Sequence, residues 1–227
     1  STCDYCKKPL AWYDMVPLIS FVALRGKSRC CGKALTWQHP VVEALFGALL
    51  AWCAIMGVWF FHLVSEPLVY LQPLFWLLTG ILLAVVFVSD MYYGLIPVLV
   101  VKVGISLTLL YRFALVAYGV YASDDLVLST VSGVTAALFF VFLRYLTKGK
   151  GMGAGDVPLV LWLGLLLGYP RILVALWIAF VLGAAVGIGL IWRGKKTIKQ
   201  AVPFGPFLIG GALLALLWGE RLWKIVF

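Results

Sequence analysis

The chain has 227 residues, of which 64% are apolar and only 12% charged, with a mean hydropathy of +1.06 and a formal net charge of +9. A water-soluble domain of this length has no interior large enough to hide that much apolar surface, so lipid must be the solvent. The basic residues gather in short loops between apolar runs rather than in one patch, which reads as membrane topology and argues against nucleic acid as a partner.

Residues 1–39 form the one polar region of any length, interrupted by Pro9, Pro17, Gly26 and Gly32, and they carry four of the five cysteines: Cys3, Cys6, Cys30 and Cys31. We read them as a small Cys-rich loop domain, and residues 40–227 as a transmembrane domain. Seven apolar runs follow, at about 41–63, 69–89, 96–120, 126–146, 156–169, 172–192 and 203–219. Most reach the roughly 20 residues that a hydrocarbon core requires, which predicts an all-α, polytopic transmembrane helical bundle. The run at 156–169 is short, so it is tilted or locally mismatched to the bilayer. Pro73, Pro158 and Pro206 are expected in the first turns of their helices, where a missing N–H costs little. Cys53, inside the first run, reads as a small packing residue.

Charge predicts the orientation. Alternate connections, starting with the N-terminal region, hold thirteen Lys and Arg residues, among them Arg25, Lys27, Arg144, Lys148, Arg193 and Lys199; the opposite connections hold three, Arg171, Arg221 and Lys224, along with acidic Glu66, Asp124 and Asp125. That split predicts a cytoplasmic N-terminal region. By alternation, the cytoplasmic face also receives Asp90, at the end of the second run, and Asp156, at the start of the fifth.

A carboxylate bordering lipid is expensive and demands a reason. Each aspartate has an ordinary explanation: Asp156 as an N-cap after Gly151-Met152-Gly153-Ala154-Gly155, and Asp90 as a turn residue in Ser89-Asp90-Met91-Tyr92-Tyr93-Gly94-Leu95-Ile96-Pro97. Jointly they have another. Two carboxyl groups at close range share a proton, so one ionised group can activate water while its protonated partner polarises a carbonyl. The rival reading is a membrane transporter or channel in which Asp90 and Asp156 relay protons or cations, but such acids more often sit near the bilayer midplane.

Gly153-Ala154-Gly155-Asp156 matches the GxGD signature of intramembrane aspartyl proteases. Asp90 ahead of Ile96-Pro97, Pro203-Phe204-Gly205-Pro206-Phe207, and Cys3-Asp4-Tyr5-Cys6 through Leu24-Arg25-Gly26 extend the match. With these features the chain closely resembles the bacterial type IV prepilin peptidases (leader peptidase/N-methyltransferases). The resemblance implies an inner-membrane enzyme of eight helices, one more N-terminal helix than the seven runs supply. It implies that Asp90 and Asp156 are catalytic, that the substrates are prepilins or type II secretion pseudopilins cut at their basic leader on the cytoplasmic side, and that S-adenosylmethionine serves methylation of the new amino group. It leaves the oligomeric state open.

In a basic loop facing a reducing compartment, Cys3-x-x-Cys6 favours zinc over a structural disulfide. The family has a second such pair, whereas this chain reads Gly26-Lys27-Ser28-Arg29-Cys30-Cys31-Gly32. Aligned from Leu24-Arg25-Gly26, Cys31 takes the fourth ligand position, Ser28 stands where the third cysteine would be, and Cys30 is displaced by two. The candidate metal ligands are therefore Cys3, Cys6, Cys30 and Cys31, with a site completed by His39 or a metal-free remnant as alternatives. Glu43, in Pro40-Val41-Val42-Glu43, also falls at a family-matching place. It reads either as a favourable charge at a helix N-terminus or as a cofactor-binding residue for methyl transfer.

Overall fold

A computed structural model describes residues 2–3, 5–16, 18–35, 68–149, 152–192 and 203–226, together with Pro40, Glu43, Ala44, Gly47 and Ala51. The first apolar run, with Cys53 and His62, lies outside the described residues but for Glu43, Ala44, Gly47 and Ala51; His39 and the basic stretch 193–200 lie wholly outside them. The described elements are all helical: a 3-10 turn at Trp12–Met15, then α1 (Ile19–Ala23), α2 (Leu68–Tyr93), α3 (Val98–Ala117), α4 (Ser123–Leu146), α5 (Asp156–Leu167), α6 (Arg171–Trp192) and α7 (Gly205–Val226). Helices α2, α3, α4, α6 and α7 are each long and apolar enough to cross a membrane. This is a multi-pass membrane protein. The apolar runs thus become helices as expected, with one correction. Pro73 lies inside α2 rather than in a first turn, because the helix already runs from Leu68.

Helix α5 sets the architecture. At 12 residues it is about 18 Å long, too short to span a bilayer. It is apolar on every side, as a helix surrounded by others must be. Leu159, Val160, Trp162 and Leu163 are all buried, and the helix touches α3, α4, α6 and α7. Glycines make that closeness possible. A Cβ on Gly164 would lie 2.4 Å from the Gly133 Cα of α4, and one on Gly104 of α3 would lie 2.3 Å from the Trp162 ring. Small residues let helix backbones meet in lipid, where van der Waals packing and hydrogen bonds replace the hydrophobic drive. The Trp162 indole N–H completes its seat by donating to Thr108 Oγ1 at 2.9 Å, and that hydroxyl donates in turn to the Gly104 carbonyl.

The C-terminal end of α5 stops within the bundle, where its last carbonyls need donors. Arg112 of α3 supplies them, Nε to the Leu165 carbonyl at 2.6 Å and Nη2 to the Leu166 carbonyl at 3.1 Å. A guanidinium inside an apolar run is thereby satisfied, and so is the truncated helix. On the other flank α6 and α7 pack backbone to backbone, with a Cβ on Gly211 only 2.4 Å from the Ala175 carbonyl oxygen.

Candidate active site

Asp90 lies in the last turn of α2 and is 5% exposed; Asp156 is the first residue of α5 and is 4% exposed. Because α2 and α5 run in opposite directions, both carboxyl groups reach the same end of the bundle. Neither behaves as the ordinary explanation required. Gly155, not Asp156, is the N-cap of α5, and the carboxylate turns back so that Oδ2 accepts the Gly153 N–H at 2.8 Å. Asp90 is not in a turn: the helix continues to Tyr93, and Oδ2 accepts the Gly205 N–H at 2.8 Å from the start of α7.

Two backbone junctions bring the aspartates together. Gly205 meets Asp90 so closely that a Cβ there would fall 2.6 Å from Oδ2. The segment delivering Gly205 is anchored by Phe204, whose ring lies 5.2 Å from Phe180 and 6.2 Å from Phe140. The second junction is Gly155 against Ile96, in the loop after α2, where a Cβ would come within 2.6 Å of the isoleucine Cβ. The loop beyond one aspartate therefore rests on the residue before the other. The two carboxyl groups are near enough to interact electrostatically, and Arg144 at the end of α4 also acts on Asp156. Gly205 is the residue that sequence reading missed. Its place in Pro203-Phe204-Gly205-Pro206-Phe207 was visible, but a backbone donor has no side chain to betray its role.

The polar N-terminal region builds a second site. Cys3 N–H bonds the Lys8 carbonyl at 2.9 Å and Lys7 N–H bonds the Cys3 carbonyl at 2.9 Å; Ser28 and Lys33, then Gly32 and Ser28, repeat the pattern at 2.8 Å each. Bridges between Thr2 and Pro9 and between Lys27 and Ala34 close the two knuckles identically. Ser28 is thus the structural counterpart of Cys3, and Cys31 that of Cys6, in agreement with the alignment from Leu24-Arg25-Gly26. Cys30 nevertheless turns inward, so the four sulfurs of Cys3, Cys6, Cys30 and Cys31 lie within 4.8 Å of one another. A tetrahedral zinc–thiolate site has Zn–S bonds of about 2.3 Å and so sulfurs about 3.8 Å apart. The observed separations, 2.9 Å for Cys6 to Cys30 and 4.0 Å for Cys3 to Cys31, bracket that value.

Ser28 occupies the space between these sulfurs, its hydroxyl 3.3 Å from Cys3 Sγ and 3.1 Å from Cys30 Sγ. That hydroxyl, with backbone donors of the first knuckle, lowers the Cys3 thiol to about 6, while the Cys6 thiol is the main influence raising Cys30 to about 12. The remaining polar candidates are engaged elsewhere. Asp14 pairs with Arg29 Nε at 2.8 Å, and Glu43 Oε2 accepts the Leu18 N–H at 2.8 Å. Glu43 therefore ties the Cys-containing region to the start of the first apolar run. Ala44, next to it, lines a cavity of about 720 Å³ bounded also by Phe21, Arg25, Lys27, Leu35 and Pro40.

Residues 1–57 match the bacterial peptidase A24 N-terminal domain, and residues 77–188 match the type IV leader peptidase family. Among similar proteins, the prepilin leader peptidase/N-methyltransferase of Burkholderia pseudomallei (strain 1026b) is 31% identical over 230 residues, covering 100% of this chain and 69% of that protein. The protein of the same name from Aeromonas hydrophila is 31% identical over 226 residues, 98% of this chain and 72% of its own. That of Bacillus subtilis (strain 168) is 26% identical over 223 residues, 98% and 83% respectively. No solved structure matches the chain.

Proposed function

The chain belongs to the type IV leader peptidase family, and on that premise we propose that it cleaves the basic leader from prepilins or type II secretion pseudopilins with Asp90 and Asp156 as the catalytic pair. One carboxylate takes a proton from water as the water oxygen attacks the scissile carbonyl carbon. The other, protonated, donates to the carbonyl oxygen, and the C–N bond then breaks as the leaving amine gains a proton. The observation supporting this is the meeting of two buried carboxyl groups at one end of the bundle, each holding one backbone N–H. A proton or cation relay gains nothing from this arrangement, since the pair lies at a helix end rather than at mid-depth. In this reading the aspartates face the cytoplasm and the protein resides in the inner membrane. Residues 1–39 form a cytoplasmic domain on the peptidase domain of 40–227. Because Asp14 and Glu43 already have partners, the dyad itself provides the negative field for the basic leader.

The relatives' names extend the proposal to N-methylation of the freshly exposed amino group. S-adenosylmethionine supplies an electrophilic methyl group when bound. The cavity of about 720 Å³ beside Ala44 has the size of a small-molecule site, with Arg25 and Lys27 able to meet a carboxylate and Glu43 at its border. Zinc, held by Cys3, Cys6, Cys30 and Cys31, would give the N-terminal domain the rigidity that its small apolar content does not. Incubating the purified chain with a prepilin in detergent and reading the product mass tests both halves: leader loss reports the peptidase, and a gain of one methyl group reports the transferase. An intact prepilin with folded enzyme would reject the assignment.

A further inference from the structure

Helix α1 is five residues long and carries apolar side chains on its outward face. Phe21 is buried, its ring packed on the turn at Gly26, where a Cβ would lie 3.2 Å away. Ile19 and Val22, three residues apart and so on one face, are 67% and 73% exposed. The 3-10 turn that packs on α1 adds Trp12, 75% exposed, with Tyr13 half-exposed beside it. Leu18 and Val22 border the cavity next to Ala44, but Trp12 and Ile19 do not, so no occupant of that cavity covers them. Large apolar groups exposed together in so small a region mark an interaction surface.

Depth and charge together say what covers it. Leu18, immediately before α1, donates its backbone N–H to Glu43 Oε2 at 2.8 Å, and Glu43 is the third residue of the apolar run that begins at 41. The short helix is therefore held level with the point where the chain enters lipid, in the interfacial layer that Trp and Tyr favour. That depth follows from reading 41–63 as a membrane span and owes nothing to the peptidase assignment. Residues 1–35 carry Lys7, Lys8, Arg25, Lys27, Arg29 and Lys33 against Asp4 and Asp14. Arg25 and Lys27 follow α1 directly and are exposed, while Arg29 lies over the Tyr13 ring, 4.9 Å from its centroid. Asp14 is already paired with Arg29. An apolar face flanked by basic side chains, at the level of membrane entry, complements an anionic bilayer surface.

We propose that α1 and the turn before it form an interfacial anchor that binds the anionic lipid surface of the membrane the chain spans. Trp12, Ile19 and Val22 enter the boundary between headgroups and acyl chains. Arg25, Lys27 and the Arg29 N–H groups not used by Asp14 meet lipid phosphates. Five residues are too few for a helix stable on its own, so insertion also keeps α1 folded. The Cys-containing domain consequently lies against the bilayer rather than standing off it. Under the topology proposed above, this is the cytoplasmic leaflet.

The test is amide hydrogen exchange of the full chain in nanodiscs, made either of phosphatidylcholine alone or of equal parts phosphatidylcholine and phosphatidylglycerol. The Ser20, Val22 and Leu24 amides, which close α1, should exchange about tenfold more slowly in the anionic discs, an effect that two basic side chains in the headgroup layer suffice to supply. The Cys3 and Ser28 amides, closed within their own knuckles, should exchange alike in both. Trp12→Ser combined with Ile19→Ser should abolish the difference at α1, and unchanged knuckle exchange certifies that variant's fold. Ile19→p-benzoylphenylalanine should, on irradiation, add the mass of one phospholipid to the chain. Equal α1 exchange in the two kinds of disc, a difference that survives in the folded double variant, or a cross-link confined to the chain itself would overturn the proposal. Slowing that appears only when a prepilin is added would assign the surface to substrate, with the same consequence. None of these readouts passes through leader cleavage, so failure of the anchor and failure of the peptidase assignment are told apart.

Discussion

The aspartate end of the bundle and the cysteine knuckles solve the same problem, gathering reactive side chains from distant sequence, by opposite means. Asp90 is held by a backbone N–H that lies 115 residues further along the chain, and its partner glycine has no room for even one carbon. The cysteines are gathered by two short turns, each closed by its own backbone hydrogen bonds, and among the described residues side chains alone cross between them: the sulfurs, the Ser28 hydroxyl, and Tyr5, whose O–H donates to the Ala34 carbonyl. The first arrangement has no slack, because backbone positions are fixed by helix packing. The second tolerates a change of ligand: where Ser28 replaces a thiol, Cys30 reaches in from two residues away, and the serine hydroxyl becomes a hydrogen-bonding neighbour. Rigidity imposed from far away and adaptability generated locally are thus found in one chain.

The widest expected effect comes at the aspartates. Asp90→Asn and Asp156→Asn should each lower leader cleavage by at least about a thousandfold, and the double variant should be little worse, because groups acting as a unit are not additive. Near-normal cleavage by either folded variant would remove the dyad. Next is Gly205→Ala, which adds a Cβ at 2.6 Å from Asp90 Oδ2. We expect a loss of about a hundredfold in kcat with membrane insertion unchanged, since small misplacements of a catalytic group cost that much. Full activity in that variant would show that the aspartate end has more slack than its geometry implies.

Smaller effects are expected at the knuckles. Cys6→Ser should release the metal, read by elemental analysis of protein purified without chelator, and lower methyl transfer more than cleavage; the reverse order would tie the domain to the peptidase instead. Restoring the regular spacing with Ser28→Cys and Cys30→Tyr should retain about one zinc per chain, as a four-thiolate site requires. The least effect belongs to Arg29→Ala, which breaks an exposed ion pair with Asp14 worth at most about 1 kcal/mol in the thermal unfolding of the domain. A large loss there would mean that the knuckles depend on their surroundings as much as the aspartates do.

The difference between the two regions also governs what could be read in advance. Apolar runs of membrane length announced α2 to α4, α6 and α7, because lipid leaves few alternatives to a helix. Carboxylates in such a context singled out Asp90 and Asp156, which the fold buries at one end of the bundle. The cysteine spacing announced which four sulfurs converge and which serine replaces a thiol. The groups that hold these residues were silent. Gly205 acts through its N–H, Ile96 through the space it occupies, and neither has a chemical signature. Asp156 looked like a helix cap because its sequence neighbours fit one, yet Gly155 is the N-cap and the Asp156 carboxylate turns back to the Gly153 N–H. Arg112 lies within the apolar run 96–120, where its sequence neighbours give no hint of the α5 carbonyls that it serves. Helix α7 extends to Val226, past the run ending at 219, because Glu220, Arg221 and Lys224 continue the helix where apolarity no longer marks it.

The notches that seat α5 carry a further consequence for where a substrate would be cut. Gly164 on Gly133, and Trp162 in the recess at Gly104, prevent the short helix from sliding along its axis, and Arg112 pins its far end. The depth of Asp156 is therefore gauged from the middle of the bundle, not from the glycine turn that precedes it. The turn is tied to that depth through the Gly153 N–H on the carboxylate and Gly155 on Ile96, and a step of one residue in the notches would displace the carboxyl group by about 1.5 Å along the helix axis. In a proteolytic enzyme built this way, the bond chosen in a substrate would be measured by a buried ruler about 12 Å long, running from Asp156 to the touching glycines Gly164 and Gly133.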